Sequence, residues 1–174
     1  AMTAIRRGEM LFNNAGFQTR QSCATCHPGG RTDGMSWDLQ HDGIGNPKST
    51  KSLLGAFKTP PSMLTGVRAN AMIAVRQKMR RPLFTVQPEK NALAIDAYLK
   101  SLEPAPSPHL VNGKLSRAAL RGRILFHGKA KCASCHSGEL FTDQEKHNVN
   151  GKAFDTPTLI EVWRTAPYLY RGQA

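Results

Sequence analysis

Two short segments of the chain carry the same pattern of reactive side chains. They read CATCH at residues 23–27 and CASCH at residues 132–136, and the chain has no cysteine outside them. The two thiols of such a segment can add to the two vinyl groups of one porphyrin, and the adjacent imidazole can then reach the iron. The pattern therefore predicts two covalently attached c-type haems. The predicted tethers and proximal ligands are Cys23, Cys26, His27, Cys132, Cys135 and His136.

Other chemistry of paired cysteines fits this spacing less well. Four cysteines could hold one structural zinc ion, but the two pairs lie more than a hundred residues apart and a histidine follows each pair at the same offset. A redox dithiol needs only one pair, usually in a thioredoxin-like βαβ context that is absent here. Disulfides would be compatible with an oxidising compartment, but disulfides that close two-residue loops would add little stability.

The segment after the first motif is where a second axial ligand is expected. Its glycine and proline content indicates a loop, and loops of this kind in c-type cytochromes wrap the haem edge. Met35 and His41 are the nearest candidates for the distal ligand of the first haem. A thioether would raise the reduction potential relative to a second imidazole. The residues alone leave both candidates open.

Hydrophobic periodicity predicts the helices that position these motifs. Thr3 can cap a helix over residues 3–14, directly before the first motif. Pro82 would end a second helix, and Ser116 would cap the last one before the second motif. The further helices are predicted over residues 70–81, 88–102 and 116–126. The fold class expected from this pattern is all-α.

A proline-rich segment divides the chain. Its prolines, Pro104, Pro106 and Pro108, exclude the interior of a helix or sheet and indicate a semi-rigid linker. We expect two cytochrome c-like haem domains joined by this linker, the second of them truncated. The predicted division is an N-terminal domain over 1–103, a linker over 104–114 and a C-terminal domain over 115–174.

The two halves match beyond the haem motifs. The matched segments are 7–12 with 121–126, 50–54 with 156–160, and 58–61 with 164–167, followed by Gly66 with Gly172. Each half therefore contains a helix, a haem motif, a loop, and a segment rich in threonine and proline that ends near a glycine. This order indicates duplication of one cytochrome c-like module.

The overall charge is strongly positive. The formal net charge is +12 at neutral pH, and a basic surface favours acidic partners such as nucleic acid, anionic membranes or acidic redox proteins. No helix-turn-helix, zinc-finger or RNP-type motif is visible, so nucleic-acid binding is not predicted. No apolar run is long enough for a membrane-spanning helix. We therefore expect an acidic redox partner protein.

Localisation follows from the chemistry of haem attachment. Haem is attached to such motifs outside the bacterial cytoplasm, so we expect an exported, periplasmic protein. The sequence shows no signal peptide. Its leading Ala1-Met2 and its end at Ala174 suggest a piece of a longer exported chain.

The constellation resembles the bacterial di-haem cytochrome c peroxidase family, including its methylamine-utilisation relatives. Besides the haem motifs, the resemblance depends on RGEMLF at 7–12, RGRILF at 121–126, FTD at 141–143, HN at 147–148 and RTAPYL at 164–169. It implies two mainly helical cytochrome c domains that face each other. It also implies a high-potential C-terminal haem where electrons enter and a low-potential N-terminal haem where peroxide is reduced. His41 lies one position from the place of that family's N-terminal distal histidine.

The chain departs from this family in three places. The family usually has a tryptophan between the haems, where this chain reads SMLTG at 62–66. It also has a glutamate that assists cleavage of the peroxide O–O bond, whereas residues 69–88 contain no acidic side chain. The family's methionine ligand on the C-terminal haem lies beyond the last motif that can be matched.

Electron transfer through two covalently bound haems is the function expected from these features. The alternative is an enzyme, a cytochrome c peroxidase-type oxidoreductase that reduces hydrogen peroxide at the N-terminal haem. A third class is a haem-binding structural or sensor module within a larger protein. Family resemblance favours the enzyme, and the missing glutamate and tryptophan favour electron transfer.

Overall fold

The computed structural model describes residues 1–16, 18–40, 45–81 and 83–174. The helices of this part of the chain are α1 (Ala4–Asn13), α2 (Cys23–Cys26), α3 (Ala71–Arg80), α4 (Glu89–Lys100) and α5 (Arg117–His127). Short 3₁₀ turns lie at Pro28–Gly30, Cys132–Ser134 and Val162–Arg164. None of the helices found in these ranges is both long and apolar enough to cross a membrane.

Two small antiparallel sheets make the fold less helical than the sequence predicts. Each has two strands, β1 (Ser36–Trp37) with β2 (Lys48–Ser49) and β3 (Lys146–Val149) with β4 (Lys152–Asp155). About a third of the chain is helical. The all-α expectation is therefore met only in part, because the segment after each haem motif folds back as a strand pair and not as a plain loop.

The predicted helices form close to their expected bounds; the caps expected at Thr3 and Ser116 form, and Asn70 provides a third that was not predicted. The side-chain oxygens of Thr3, Asn70 and Ser116 accept hydrogen bonds from the third residue onward, which satisfies an N–H group left free at a helix start. The helix α4 begins after Pro88, whose fixed φ suits a helix start. Helix α2, which carries the first haem motif, is too short for periodicity to predict.

The main core lies in the first half, where α1 crosses α4. A Cβ added at Gly8 would lie 1.9 Å from the Ala94 carbonyl oxygen, so only glycine permits this approach. Phe12 is fully buried beside the crossing and packs on Tyr98 with ring centroids 5.2 Å apart. The buried cluster around the crossing comprises Phe12, Met79, Ala92, Ile95 and Leu99.

Helix α5 is the counterpart of α1 in the second half, but its surroundings differ. Within the described ranges nothing lies within 4 Å of a Cβ added at Gly122, the match of Gly8. Ile124 and Leu125 are exposed. The same sequence motif therefore forms a buried crossing in one half and an uncovered helix in the other.

The two halves contact each other along the strand pairs. The Lys51 ammonium lies 2.5 Å from the Asp155 carboxylate, and the Asp155 N–H donates to the Leu64 carbonyl at 2.9 Å. The N–H of Ser49 donates to the Tyr170 carbonyl at 3.1 Å. These contacts join the threonine- and proline-rich segments of both halves. The predicted division at the linker stays a prediction.

Candidate haem sites

The first haem motif lies on α2, a single helical turn. One turn brings residues three apart to one face, so the thiols of Cys23 and Cys26 can meet the same porphyrin edge. The turn is fixed at its start by Ser22, whose N–H donates to the Thr25 hydroxyl at 3.0 Å. At its end the His27 N–H donates to the Cys23 carbonyl at 2.9 Å. All four cysteines are free thiols.

The ring of His27 is held in a form that suits a metal ligand. Its Nδ1 lies 3.0 Å from the carbonyl oxygen of Arg31. A carbonyl only accepts hydrogen bonds, so Nδ1 carries the proton and Nε2 keeps its lone pair. Burial lowers the pKa of His27, which favours this neutral form. A hydrogen bond from the ring nitrogen that does not bind the metal orients metal-ligating imidazoles in this way.

A mainly apolar cavity opens beside α2 and takes in His27 and both cysteines. Its volume is about 210 Å³. The cavity wall includes Phe12, Leu54, Val75, Leu83, Ile95 and Leu99. Burial raises the pKa of the Cys23 thiol to about 11, which disfavours the thiolate that a redox dithiol would use. An apolar slot at the tethers fits a porphyrin.

Cationic side chains line the same cavity. Lys48, Lys51 and Lys78 all contribute to its wall, and Lys48 is only 7% exposed although it is charged. Buried cations need anionic or carbonyl partners, and the Lys48 ammonium donates to the Asn46 carbonyl at 2.6 Å. The propionates of a haem are anions that such ammonium groups can bind. The residues present therefore fit this cofactor.

The second motif repeats the first on a 3₁₀ turn. The His136 N–H donates to the Cys132 carbonyl at 3.0 Å, and His136 Nδ1 lies 3.1 Å from the Phe141 carbonyl oxygen. The same argument assigns the proton to Nδ1 and the lone pair to Nε2. Both predicted proximal ligands thus have the same tautomer, each set by a backbone carbonyl a few residues later.

The sequence reasoning used Thr142 and Asp143 only as part of the matched FTD segment and missed their counterparts Thr32 and Asp33. The hydroxyls of Thr32 and Thr142 donate to the carbonyls of Thr50 and Thr156, each at 2.7 Å. These bonds tie the segment after each haem motif to the residue that directly follows the returning strand. The repeated Thr-Asp dipeptide, at 32–33 and 142–143, is the signal that could have found them.

The aspartates of these dipeptides fasten the hairpins to the motifs. The N–H of Asp33 donates to the Cys26 carbonyl at 3.0 Å, and that of Asp143 donates to the Cys135 carbonyl at 2.9 Å. Their carboxylates differ in partner. That of Asp33 accepts from the indole of Trp37 at 2.9 Å, whereas that of Asp143 lies 2.7 Å from His147 Nε2.

One group of side chains near the second motif could also hold a metal ion. Donor atoms of Cys135, Asp143 and His147 lie within 4.8 Å of one another. A cysteine that carries a haem is a thioether and no longer offers the thiolate that such a site would use. With haem bound, the Asp143–His147 pair instead borders the tether.

The distal candidates for the first haem lie in different surroundings. Met35 is 53% exposed and is not part of the cavity wall. Among the methionines of the described chain, Met63 is the one that lines the cavity. It has a left-handed backbone with φ of 77°. His41 lies outside the described residues.

Comparison with known proteins gives relatives and structures of the same fold. No protein-family model matches the chain. Hydrazine synthase subunit gamma of Kuenenia stuttgartiensis is 27% identical over 98% of this chain and 66% of its own length. Methylamine utilization protein MauG of Methylophilus methylotrophus is 26% identical over 87% of this chain and 62% of its own length. The chain thus spans just under two thirds of these relatives.

The solved structures agree with these relatives. A hydrazine synthase structure from Kuenenia stuttgartiensis, pressurised with xenon, matches with a TM-score of 0.88 at 25% identity, over 98% of this chain and 75% of that one. A MauG-like protein associated with microbial copper homeostasis matches with a TM-score of 0.75 at 19% identity, over 99% of this chain and 72% of that one. The second likeness shows the shared fold.

Proposed function

We propose, from this coarse relationship to the MauG-like, di-haem peroxidase-type proteins, that the chain is a di-haem c-type cytochrome that transfers electrons. One observation carries the proposal. Both motif histidines have Nδ1 bonded to a backbone carbonyl, at 3.0 and 3.1 Å, which leaves the Nε2 lone pair available for a metal in both halves. A redox dithiol would give no reason for this repeated orientation, and a zinc site is disfavoured by the separation of the two cysteine pairs in the sequence.

Each group of residues has a distinct role in this proposal. The bound haems supply one-electron iron chemistry. Four cysteines would tether the porphyrins, and His27 and His136 would each bind an iron. The apolar wall around the first motif excludes water, which influences the reduction potential. The cavity lysines other than Lys51, which pairs with Asp155, would neutralise propionate charge.

The runner-up is reduction of hydrogen peroxide at the first haem. The family resemblance favours it, and one of the relatives is named a synthase subunit. The cavity opposes it, since no carboxylate is among the described residues of its wall, and peroxide cleavage needs a proton donor or acceptor at the distal face. Electron transfer requires no such group.

The proposal extends to partner and compartment. The excess of 24 lysine and arginine over 12 acidic residues would steer an acidic redox protein towards the molecule. Attachment of haem to both motifs requires export from the cytoplasm. We therefore place the protein in the periplasm or an equivalent compartment.

Absorption spectra of the haem-loaded protein test the proposal. They would be recorded as isolated and half-reduced, before and after hydrogen peroxide. Two low-spin haems that peroxide leaves unchanged support electron transfer. A high-spin haem that peroxide converts to a new species supports the peroxidase instead. The covalent haem count, by mass spectrometry, should fall from two to one when both cysteines of either motif become alanine, and a count of zero in the native chain contradicts both functions.

A further inference from the structure

The two proximal histidines bond to carbonyls of very different residues. His136 bonds to the carbonyl of Phe141, whose ring is 40% exposed. His27 bonds to the carbonyl of Arg31, whose side chain extends into the second half of the molecule. The two halves therefore differ in the residue whose carbonyl lies behind the proximal histidine.

The guanidinium of Arg31 forms a two-pronged ion pair with Glu161. Its Nε lies 2.7 Å from one carboxylate oxygen and its Nη2 lies 2.9 Å from the other. The remaining donors reach the carbonyls of Gly29 at 2.8 Å and Glu103 at 3.2 Å. The Glu161 side chain is only 2% exposed. Charge-assisted, two-pronged pairs of this kind fix geometry as well as charge.

Glu161 binds the linker as well as the first half. Its carboxylate accepts a hydrogen bond from the Ala105 N–H at 2.5 Å. The side chain of Arg164, one turn onward, lies 3.8 Å away. One buried carboxylate therefore connects the loop after the first haem motif, the linker, and the second half.

The backbone at Glu161 is strained for a residue with a side chain. Its φ is 58°, in the left-handed region that disfavours non-glycine residues. The matching position in the first half is Gly55, with φ of 70°. Both turns close in the same way. The Lys58 N–H donates to the backbone carbonyl of Gly55, and the Arg164 N–H donates to the backbone carbonyl of Glu161. The second half thus has a glutamate where the shared turn favours glycine.

We propose that the Arg31–Glu161 pair is a positioning device through which the second half sets the hydrogen bond to the proximal histidine of the first haem. The ion pair anchors the residue whose carbonyl accepts from His27 Nδ1. That hydrogen bond makes the imidazole more electron-donating, which favours ferric iron. This inference deepens the proposed function and depends on haem being bound at His27.

Loss of the pair should raise the reduction potential of the first haem. With Glu161 removed, Arg31 is no longer held from the second half, and its carbonyl can turn away from His27. The imidazole then donates less charge to the iron, which stabilises the ferrous state relative to the ferric state. The second haem should not respond, because the carbonyl of Phe141 takes no part in the pair. The second haem therefore serves as a control within the same molecule.

The variants should separate this effect from general damage. Glu161→Gly suits the left-handed backbone and removes the carboxylate. Glu161→Gln keeps size and one acceptor oxygen and should give a smaller shift in the same direction. Arg31→Lys keeps the charge but cannot form both prongs. The matched control is Glu9→Gln, which breaks an exposed ion pair with Arg6.

Spectro-electrochemical titration of the holoprotein gives the potential of each haem, and NMR of the ferric protein reports the environment of each axial histidine. We expect the first haem's potential to rise in the Glu161 and Arg31 variants, with shifted His27 resonances and no change in Glu9→Gln. Equal shifts at both haems, or no shift at the first haem in a folded Glu161→Gly protein, would overturn the coupling. Absence of bound haem in the native chain would instead contradict the proposed function.

Discussion

At the residue scale, the methionines near the first motif can be told apart by experiment. Met63 lines the cavity that contains His27, whereas Met35 is half exposed and lies outside the wall. We expect Met63→Ala to convert the first haem from low-spin to high-spin if a thioether is the sixth ligand. The near-infrared thioether-to-iron band of the ferric protein should disappear with it.

Met35→Ala is the matched control and should leave this band and the spin state unchanged. The opposite result, a change with Met35→Ala alone, would return the ligand to the residue expected from the sequence. A low-spin spectrum without the thioether band in the native protein would favour His41.

Glu161 should also make the free energy of unfolding depend on pH in the acidic range. Its hydrogen bonds with Arg31 lower the pKa of this carboxyl below its ordinary value of 4.5. A carboxyl with a lower folded pKa stabilises the fold above its unfolded pKa, and this stability is lost as pH falls through the folded value. The free energy of unfolding, from denaturant titrations, should therefore fall below about pH 4.5.

Glu161→Gln should have a shallower acid dependence and be less stable at neutral pH. The loss should be smaller than the cost of about 3–5 kcal/mol typical of breaking a fully buried pair, because the Arg31 side chain is 19% exposed and glutamine keeps one acceptor oxygen. If the free energies of unfolding of the two proteins fell in parallel with decreasing pH, the Arg31–Glu161 pair would not be the cause of the pH dependence.

Some residues of the site could be found from the sequence and others could not. The tethers and proximal histidines follow from a spacing that one covalent reaction demands. The carbonyl partners of His27 and His136 lie four and five residues later and depend on turn geometry that no motif records. The Arg31–Glu161 pair joins residues 130 apart in sequence, which only the folded chain brings together.

At the element scale, the two matched helices allow a paired test. Gly8→Ala should destabilise the protein by about 1–3 kcal/mol, the usual cost of overpacking, because the new Cβ would overlap the Ala94 carbonyl. Gly122→Ala should be neutral or stabilise by up to about 1 kcal/mol, because its surroundings are open and alanine favours helix.

Denaturant unfolding of the two holoprotein variants measures this difference directly. A Gly122→Ala protein destabilised as much as Gly8→Ala would mean that α5 packs on something in solution. Equal, small effects at both positions would contradict the close crossing of α1 and α4.

Helices with caps and apolar stripes were predictable, and the shortest elements were not. The cap at Thr3 and the end of α3 near Pro82 follow from local chemistry that the sequence displays. The strands β1 and β2 have two residues each, too few for an alternating pattern. They form because Thr32 and Asp33 bind the returning chain and the haem motif, an effect of tertiary structure.

At the scale of the whole molecule, the two halves contact each other through buried charge. The side chains of Asp155 and Glu161 are each 2% exposed and pair with Lys51 and Arg31 of the first half. Buried pairs specify geometry more than they add stability. Charge and hydrogen bonds between residues distant in sequence therefore join the two halves.

The net charge of the molecule leads to a prediction about its partner. With a formal charge of +12, and at most four propionates to offset it, the haem-loaded protein stays cationic. The Debye length, over which charges act on each other, is about 10 Å at 0.1 M salt and shortens further as salt rises. Electrostatic steering therefore weakens with increasing salt. We expect the second-order rate of electron transfer with an acidic redox protein to fall steeply with ionic strength.

Stopped-flow kinetics at several salt concentrations measure this dependence, with an uncharged small-molecule reductant as control. The control rate should change little, because an uncharged reactant is not steered. A rate with the acidic protein that does not vary with salt would mean that association depends on apolar contact. In that case Ile124 and Leu125 of α5, two exposed apolar side chains, would be the first residues to alter.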